Sequence, residues 1–146
     1  MQRPCLFCEI VAAREPAEIV YDDEFCQGFL DSKPLFFGHT LIVPKVHYTT
    51  LGDLPEGAHG LLFSVVARVS RAVPLAFGAG GTFVAMNNVV SQSVPHLHVH
   101  VVPRTKGDGL RGFFWPRTSY PSAADAAETA SSLRRALAAD GFDDRV

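Results

Sequence analysis

Three histidines alternate with apolar residues in the run His96-Leu97-His98-Val99-His100-Val101-Val102. In a β-strand, side chains two apart share a face. His96, His98 and His100 are therefore expected on one side, with Leu97, Val99 and Val101 in the apolar layer behind. Three stacked imidazoles repel if all are protonated, so most should be neutral near pH 7. A neutral imidazole is both a nucleophile and a metal ligand, and a backbone carbonyl can fix its second nitrogen. Three same-face strand positions span roughly 13 Å, too far for one ion to touch all three. At most two of these rings could share a metal.

A second group with chemistry is Cys5 and Cys8, whose Cys-x2-Cys spacing is half of a zinc site. The residues alone also allow two unpaired thiols. A thioredoxin-like redox pair fits less well because no strand precedes it. Cys26 falls inside an apolar strand and reads as a small buried residue. An odd cysteine count of 3 points to a reducing, cytoplasmic setting rather than a disulfide framework.

The elements that must hold these groups fit in 146 residues, expected as a single domain with a core over about 5–104 and an extension over 105–146. The chain is 47% hydrophobic and 19% charged with a net charge of -2. That excludes general attraction to nucleic acid or an anionic membrane, so phosphate binding must come from a few placed groups. No apolar run approaches the roughly 18 residues of a membrane span, the longest lying around Leu61–Ala67. The N-terminus lacks the layout of a secretion signal.

Residues 18–31 read as two strands joined at Asp22–Glu24, and His39–Pro44 as a third. From Pro55, Leu62, Val65, Val66, Val69 and Val73 recur at helical spacing, with Pro74 and Gly78–Gly81 expected to end the helix. Gly81–Asn87 and His96–Pro103 are further strands, and Arg104–Pro121 an irregular connection. Ser122–Asp140 is an alanine-rich closing helix, capped by serine and ended by Gly141. Strands in meander order around one long helix imply α+β with a largely antiparallel sheet.

At this point the chain resembles the histidine-triad family. His96–Val102 is similar to that family's signature of three histidines alternating with apolar residues. Cys5–Val11 resembles its N-terminal segment, Phe29–Pro34 its ribose-contacting strand end, and Gly38–His47 its central strand. Gln92-Ser93-Val94 leads into the triad as in relatives. The resemblance implies a HIT-like fold with about five strands, one long and one C-terminal helix, and a homodimer joining two sheets. The sequence adds apolar faces on helix 55–73 and on Gly81–Asn87 to that expectation.

The implied activity is hydrolysis or transfer at the α-phosphorus of a purine nucleotide derivative, through a covalent nucleotidyl-histidine on His98. An imidazole nitrogen is a good nucleophile at neutral pH, and the phosphoramidate it forms hydrolyses readily. His100 would contact phosphate oxygens or the leaving group, while Ser93 and Gln92 would donate to the phosphorus oxygens. Asp31 would accept from both ribose hydroxyls; read without the family, it caps the turn before Pro34. Phe7, Ile10 and Leu30 would line the base pocket, or equally pack the core. Asn87 corresponds to a nucleotide-contacting asparagine. The loop to Gln92 is shorter by about two residues than in relatives and lacks their alanine-glycine pair, which leaves Asn88 as its rival.

Relatives from bacteria complete a structural zinc site with two histidines, so the implied ligand set is Cys5, Cys8, His47 and His96. Four protein ligands leave no open position. No organic cofactor and no magnesium site is implied. The stretch Pro103–Gly109 with Phe113–Trp115 resembles the fragile-histidine-triad branch, in which Lys106, Arg111 and Arg117 would reach a second nucleotide's phosphates. A packing arm over a dimer seam explains that tail as well. The competing reading of the whole is a nucleotide-binding regulatory module with little turnover. His39 and His59 are assigned no chemistry.

Overall fold

The computed structural model describes residues 4–110 and 118–139. They fall into two compact units, Met1–Gly109 and Leu110–Val146. The first contains α1 (Leu6–Val11), β1 (Ile19–Asp22), β2 (Cys26–Leu30), β3 (Thr40–Pro44), α2 (His59–Phe77), β4 (Gly81–Ala85) and β5 (Val99–Arg104). The second contains α3 (Ala123–Ala139). The strands form one sheet in the order β1-β2-β3-β5-β4, with every ladder antiparallel. The α+β class and the five antiparallel strands are as expected.

The order is not a simple meander. The α2 crossover carries the chain past one strand position, and β5 returns to fill it between β3 and β4. Each strand forms for a local reason. The β1–β2 turn closes on Asp23, whose Oδ1 accepts from the Phe25 and Cys26 N–H groups at 2.8 and 2.6 Å, an Asx-type turn. All five residues of β3 are buried, as a central strand packed on both faces requires.

Pro74 does not end α2. It lies inside the helix, which runs on to Phe77 and stops at Gly78 with φ 64°. A proline costs the helix one backbone bond, whereas a left-handed glycine ends it by turning the chain out of register. The helix is preceded by a 3-10 turn at Glu56–Ala58, so its first regular turn begins after the expected Pro55. The segment Glu56–Phe77 has a hydropathy of 1.5 and is long enough to cross a membrane. Its Leu62, Val65, Val66, Val69 and Val73 are instead core residues against the sheet. Helix α3 is capped as its serine implied, with the Asp125 N–H donating to Ser122 Oγ at 3.1 Å. Gly141 lies outside the described residues, as do Arg111, Phe113–Trp115 and Arg117.

Two cores flank the sheet. Cys26, Ile42, Leu97, Val99 and Val101 join α2 on one face. Phe29, Leu41 and Val43 join Phe7 and Ile10 of α1 on the other. The even-numbered residues of the histidine run belong to the α1 side. That side is where a site can open.

Candidate active site

The triad strand begins later than its alternation suggests. Regular pairing starts at Val99, opposite Ile42, and His96 and His98 precede it. The reason is that β3 stops at Pro44, and the approaching chain takes other partners. The Leu97 N–H donates to the Tyr48 carbonyl at 2.6 Å, and the His96 ring reaches the Pro44 carbonyl at 2.8 Å. The alternation of faces survives. Leu97, Val99 and Val101 are fully buried on the α2 side, while Phe7 packs edge-on against His96 and His98.

Hydrogen-bond partners fix which nitrogen of each ring carries the proton. A carbonyl only accepts and an amide N–H only donates. His98 Nδ1 lies 2.7 Å from the His96 carbonyl, so Nδ1 is the protonated nitrogen and Nε2 holds the lone pair. His96 Nε2 donates to the Pro44 carbonyl, leaving the Nδ1 lone pair toward the cysteines. His39 Nδ1 accepts from the Leu35 N–H at 3.1 Å. Its Nε2 therefore carries the proton, directed at His100 Nδ1 2.8 Å away. His100 is left with its own proton on Nε2. Two adjacent rings, 5.0 Å apart between centroids, thus differ in kind: His98 offers a nucleophile and His100 a donor.

Burial keeps the rings around His98 neutral. It lowers His39 and His96 below the ordinary imidazole value, Asp31 acting upward on the former and the Pro44 carbonyl upward on the latter. Burial, then the neighbouring His98 and His39, hold His100 down at about 4.

His98 and His100 open on a cavity of about 860 Å³, large enough for a nucleotide. Phe7, Ile10, Leu30, Asp31 and Ser93 line it, together with Leu6, Phe29 and Leu41. Gln92 and Asn87 are not among its lining residues. The Gln92 amide accepts from the Val89 N–H at 3.0 Å and donates to the Thr49 carbonyl at 2.6 Å. Asn87 Nδ2 donates to the Ser91 carbonyl, and Asn88 Oδ1 accepts from the Leu51 N–H. These three side chains brace a loop in which Val89 and Ser91 adopt φ of 68° and 62°. That conformation disfavours a β-branched residue, so it persists only where neighbours enforce it.

Sequence reasoning missed His39, which it left without chemistry. Its register could have flagged it. His39 shares a face with Leu41, and Leu41 pairs with His100, but the pairing of β3 with β5 is not written in either segment. Asp31 Oδ2 lies 3.7 Å from His39 Nε2, so Asp31, His39 and His100 cluster closely enough to suggest a metal. The tautomers argue against one. Nδ1 of His39 is committed as an acceptor, so Nε2 has no lone pair to give. His59, also left without chemistry, donates its Nε2–H to the Leu54 carbonyl at 3.0 Å.

A second cluster does suit a cation. Cys8 Sγ lies 3.3 Å from His47 Nδ1 and 3.5 Å from His96 Nδ1, and Cys5 Sγ 3.5 Å from His96 Nδ1. All four ligand atoms lie within 4.8 Å of one another. Tetrahedral zinc, with bonds of about 2.3 Å to sulfur and 2.0–2.1 Å to nitrogen, requires sulfur–nitrogen edges of about 3.5 Å. The observed spacing meets that. Burial, then the Cys5 sulfur, push Cys8 up to about 11, so a divalent charge is what would hold thiolates there.

The HIT-domain model matches residues 12–107. The chain belongs to the HIT family. It is 33% identical to the adenylylsulfatase HINT3 of Arabidopsis thaliana over 94% of this chain and 71% of that protein. It is 30% identical to the adenosine 5′-monophosphoramidase hnt1 of Schizosaccharomyces pombe over 80% of this chain and 85% of that one. Among solved structures it resembles a zinc-bound histidine triad family protein from Mycobacterium smegmatis, with a TM-score of 0.70, 35% identity, and coverage of 88% and 96%. The HIT match ends at residue 107, while the similarity to HINT3 covers 94% of this chain and so extends into the tail.

Proposed function

We propose that this HIT protein is a hydrolase acting at the α-phosphorus of a purine nucleotide derivative, by way of a covalent nucleotidyl-histidine on His98. The observation that carries this reading is the His98 ring, which donates Nδ1–H to the His96 carbonyl, keeps its lone pair on Nε2, and lines the cavity. In the first step Nε2 forms a bond to phosphorus, the bond to the leaving group breaks, and that group takes a proton. In the second, water displaces His98 and releases the nucleotide. His100, with its proton on Nε2, is the donor next to the reacting atoms, and Ser93 adds a hydroxyl for the phosphorus oxygens. Asp31 takes the ribose hydroxyls, and Phe7, Ile10 and Leu30 hold the base. Gln92 and Asn87 serve by shaping the phosphate loop. The adenylylsulfatase and phosphoramidase named above support a nucleotide-phosphate hydrolase.

Zinc at Cys5, Cys8, His47 and His96 would be structural, tying α1 to the chain that carries His98. The cysteines are free thiols, which suits a reducing, cytoplasmic setting. A homodimer through β4 and α2 is supported by surface. No further strand pairs with the outer edge of β4 among the described residues, and Leu61 and Phe63 of α2 and Val84 of β4 are exposed. Light scattering checks that state.

The deciding experiment measures turnover of adenosine 5′-phosphoramidate and of a diadenosine polyphosphate by wild type and His98→Ala. Wild type should release AMP, and mass spectrometry should trap the adduct on His98. The variant should lose at least about 10³-fold in kcat with nucleotide affinity roughly kept. Wild-type rates from His98→Ala would refute the mechanism, and binding without turnover by wild type would favour a regulatory module.

A further inference from the structure

Three charged side chains line the cavity beside the imidazoles, Glu18, Asp31 and Lys33. Two of them belong to one turn, where the Lys33 N–H donates to Asp31 Oδ1 at 2.8 Å. Glu18 belongs elsewhere. Ile19 pairs with Phe29 across β1 and β2, and the Leu30 N–H donates to the Glu18 carbonyl at 3.0 Å. Glu18 therefore stands beside Leu30, one residue further from the triad than Asp31. The remaining lining there is apolar, with Leu6, Phe7 and Ile10 of α1, Ala17 and Leu30. Among the described residues nothing donates to the Glu18 carboxylate or pairs with it, and the residue is exposed at the rim. An unpaired carboxylate at the edge of an apolar slot has acceptor capacity for a ligand and no donor to offer.

We infer that Glu18 determines base specificity and selects guanine over adenine. The inference rests on the function proposed above and deepens it by naming the substrate's base. With phosphorus at His98 and the ribose at Asp31, the base lies among the apolar walls next to Leu30. The Watson–Crick edge of a purine is opposite its glycosidic bond, so that edge points away from the sugar and toward the rim where Glu18 stands. Guanine presents two adjacent donors there, N1–H and the 2-amino group, which match the two oxygens of a carboxylate. Adenine presents one donor, the 6-amino group, beside a bare N1. The N1 lone pair would face the second carboxylate oxygen, an acceptor against an acceptor. Hypoxanthine keeps N1–H and lacks the 2-amino group, so it ranks between them. A site whose polar group is matched by one base and opposed by the other discriminates far better than apolar walls, which treat all purines alike.

Calorimetry with GMP, IMP and AMP tests the ranking without turnover. Wild type should bind GMP about tenfold tighter than AMP, the low end for hydrogen bonds to a charged group because the rim is open to water. IMP should fall between. In Glu18→Gln the three affinities should converge to within about twofold, because the amide offers one donor and one acceptor and so pairs with either base. Glu18→Ala should bring them together as well. Steady-state rates on the 5′-phosphoramidates of guanosine, inosine and adenosine give a second readout. The base contact is the same in ground and transition states, so the preference should appear in KM, with wild-type kcat alike for the three. Equal wild-type affinities, a preference for AMP, or a guanine preference that survives both substitutions overturns the inference. If none of the phosphoramidates is turned over, the proposed hydrolase reading fails, and the binding series still decides the role of Glu18.

Discussion

Gly38 is the position where one methyl group should disturb both stability and chemistry. Its φ is +97°, and a Cβ built there would meet Phe77 Cε2 at 2.3 Å. Alanine at such an angle costs roughly 1–2 kcal/mol in backbone strain. The Phe77 ring, half exposed at the end of α2, can give way, at about 1 kcal/mol for a poorer rotamer and lost contact. Gly38→Ala should therefore destabilise by about 2–3 kcal/mol, lowering Tm by roughly 6–12 °C for a domain of this size. The next residue is His39, whose N–H closes the same turn on the Phe36 carbonyl at 3.0 Å. A shift of that turn should move the His39–His100 contact and reduce kcat by about tenfold. Denaturant unfolding and turnover are measured on Gly38→Ala, Phe77→Ala and the double variant. The cycle should return a favourable coupling of about 1 kcal/mol, the steric part, while the backbone part persists. Zero coupling would show that the Phe77 contact does not constrain this turn, and a Gly38→Ala protein as stable as wild type would show that φ does not constrain it either.

Two further outcomes follow from the buried rings and the sulfur cluster. Cys8→Ser should lower zinc from about one per chain toward zero and reduce Tm, because metal affinity here is folding free energy; metal analysis with a thermal melt checks this, and undiminished zinc would exclude Cys8 as a ligand. The depressed His100, with His39 lowered in the same direction, binds its proton less readily folded than unfolded. Stability is therefore present above about pH 6.5 and lost as pH falls toward about 4. At most about 3 kcal/mol is at stake for His100, and flat stability between pH 7 and 4.5 in denaturant titrations would contradict the burial of these rings.

The alternation of polar and apolar residues was enough to place Leu97, Val99 and Val101 in the core and the three imidazoles opposite them, because side-chain direction along an extended chain depends on local geometry alone. The helical spacing of Leu62 to Val73 identified the face of α2 for the same reason. The Cys5–Cys8 pair was legible as half of a metal site from its spacing. Its histidine partners were named only through family resemblance, since no local rule links residues 8, 47 and 96. Helix α1 was not foreseen; at 6 residues it is too short for periodicity to show and is held by packing of Phe7 and Ile10 on Phe29.

Tertiary structure decided the rest. The position of β5 between β3 and β4 depends on which strand edges remain open after α2 crosses. That placement brings His39 to His100 across 61 residues and turns a histidine without evident purpose into the ring that fixes its neighbour's proton. The fate of Gln92 was likewise settled by what surrounds it, since Val89 and Thr49 claim both ends of its amide. Which atom of an imidazole carries hydrogen is a property of its partners. Those partners meet only when the chain folds.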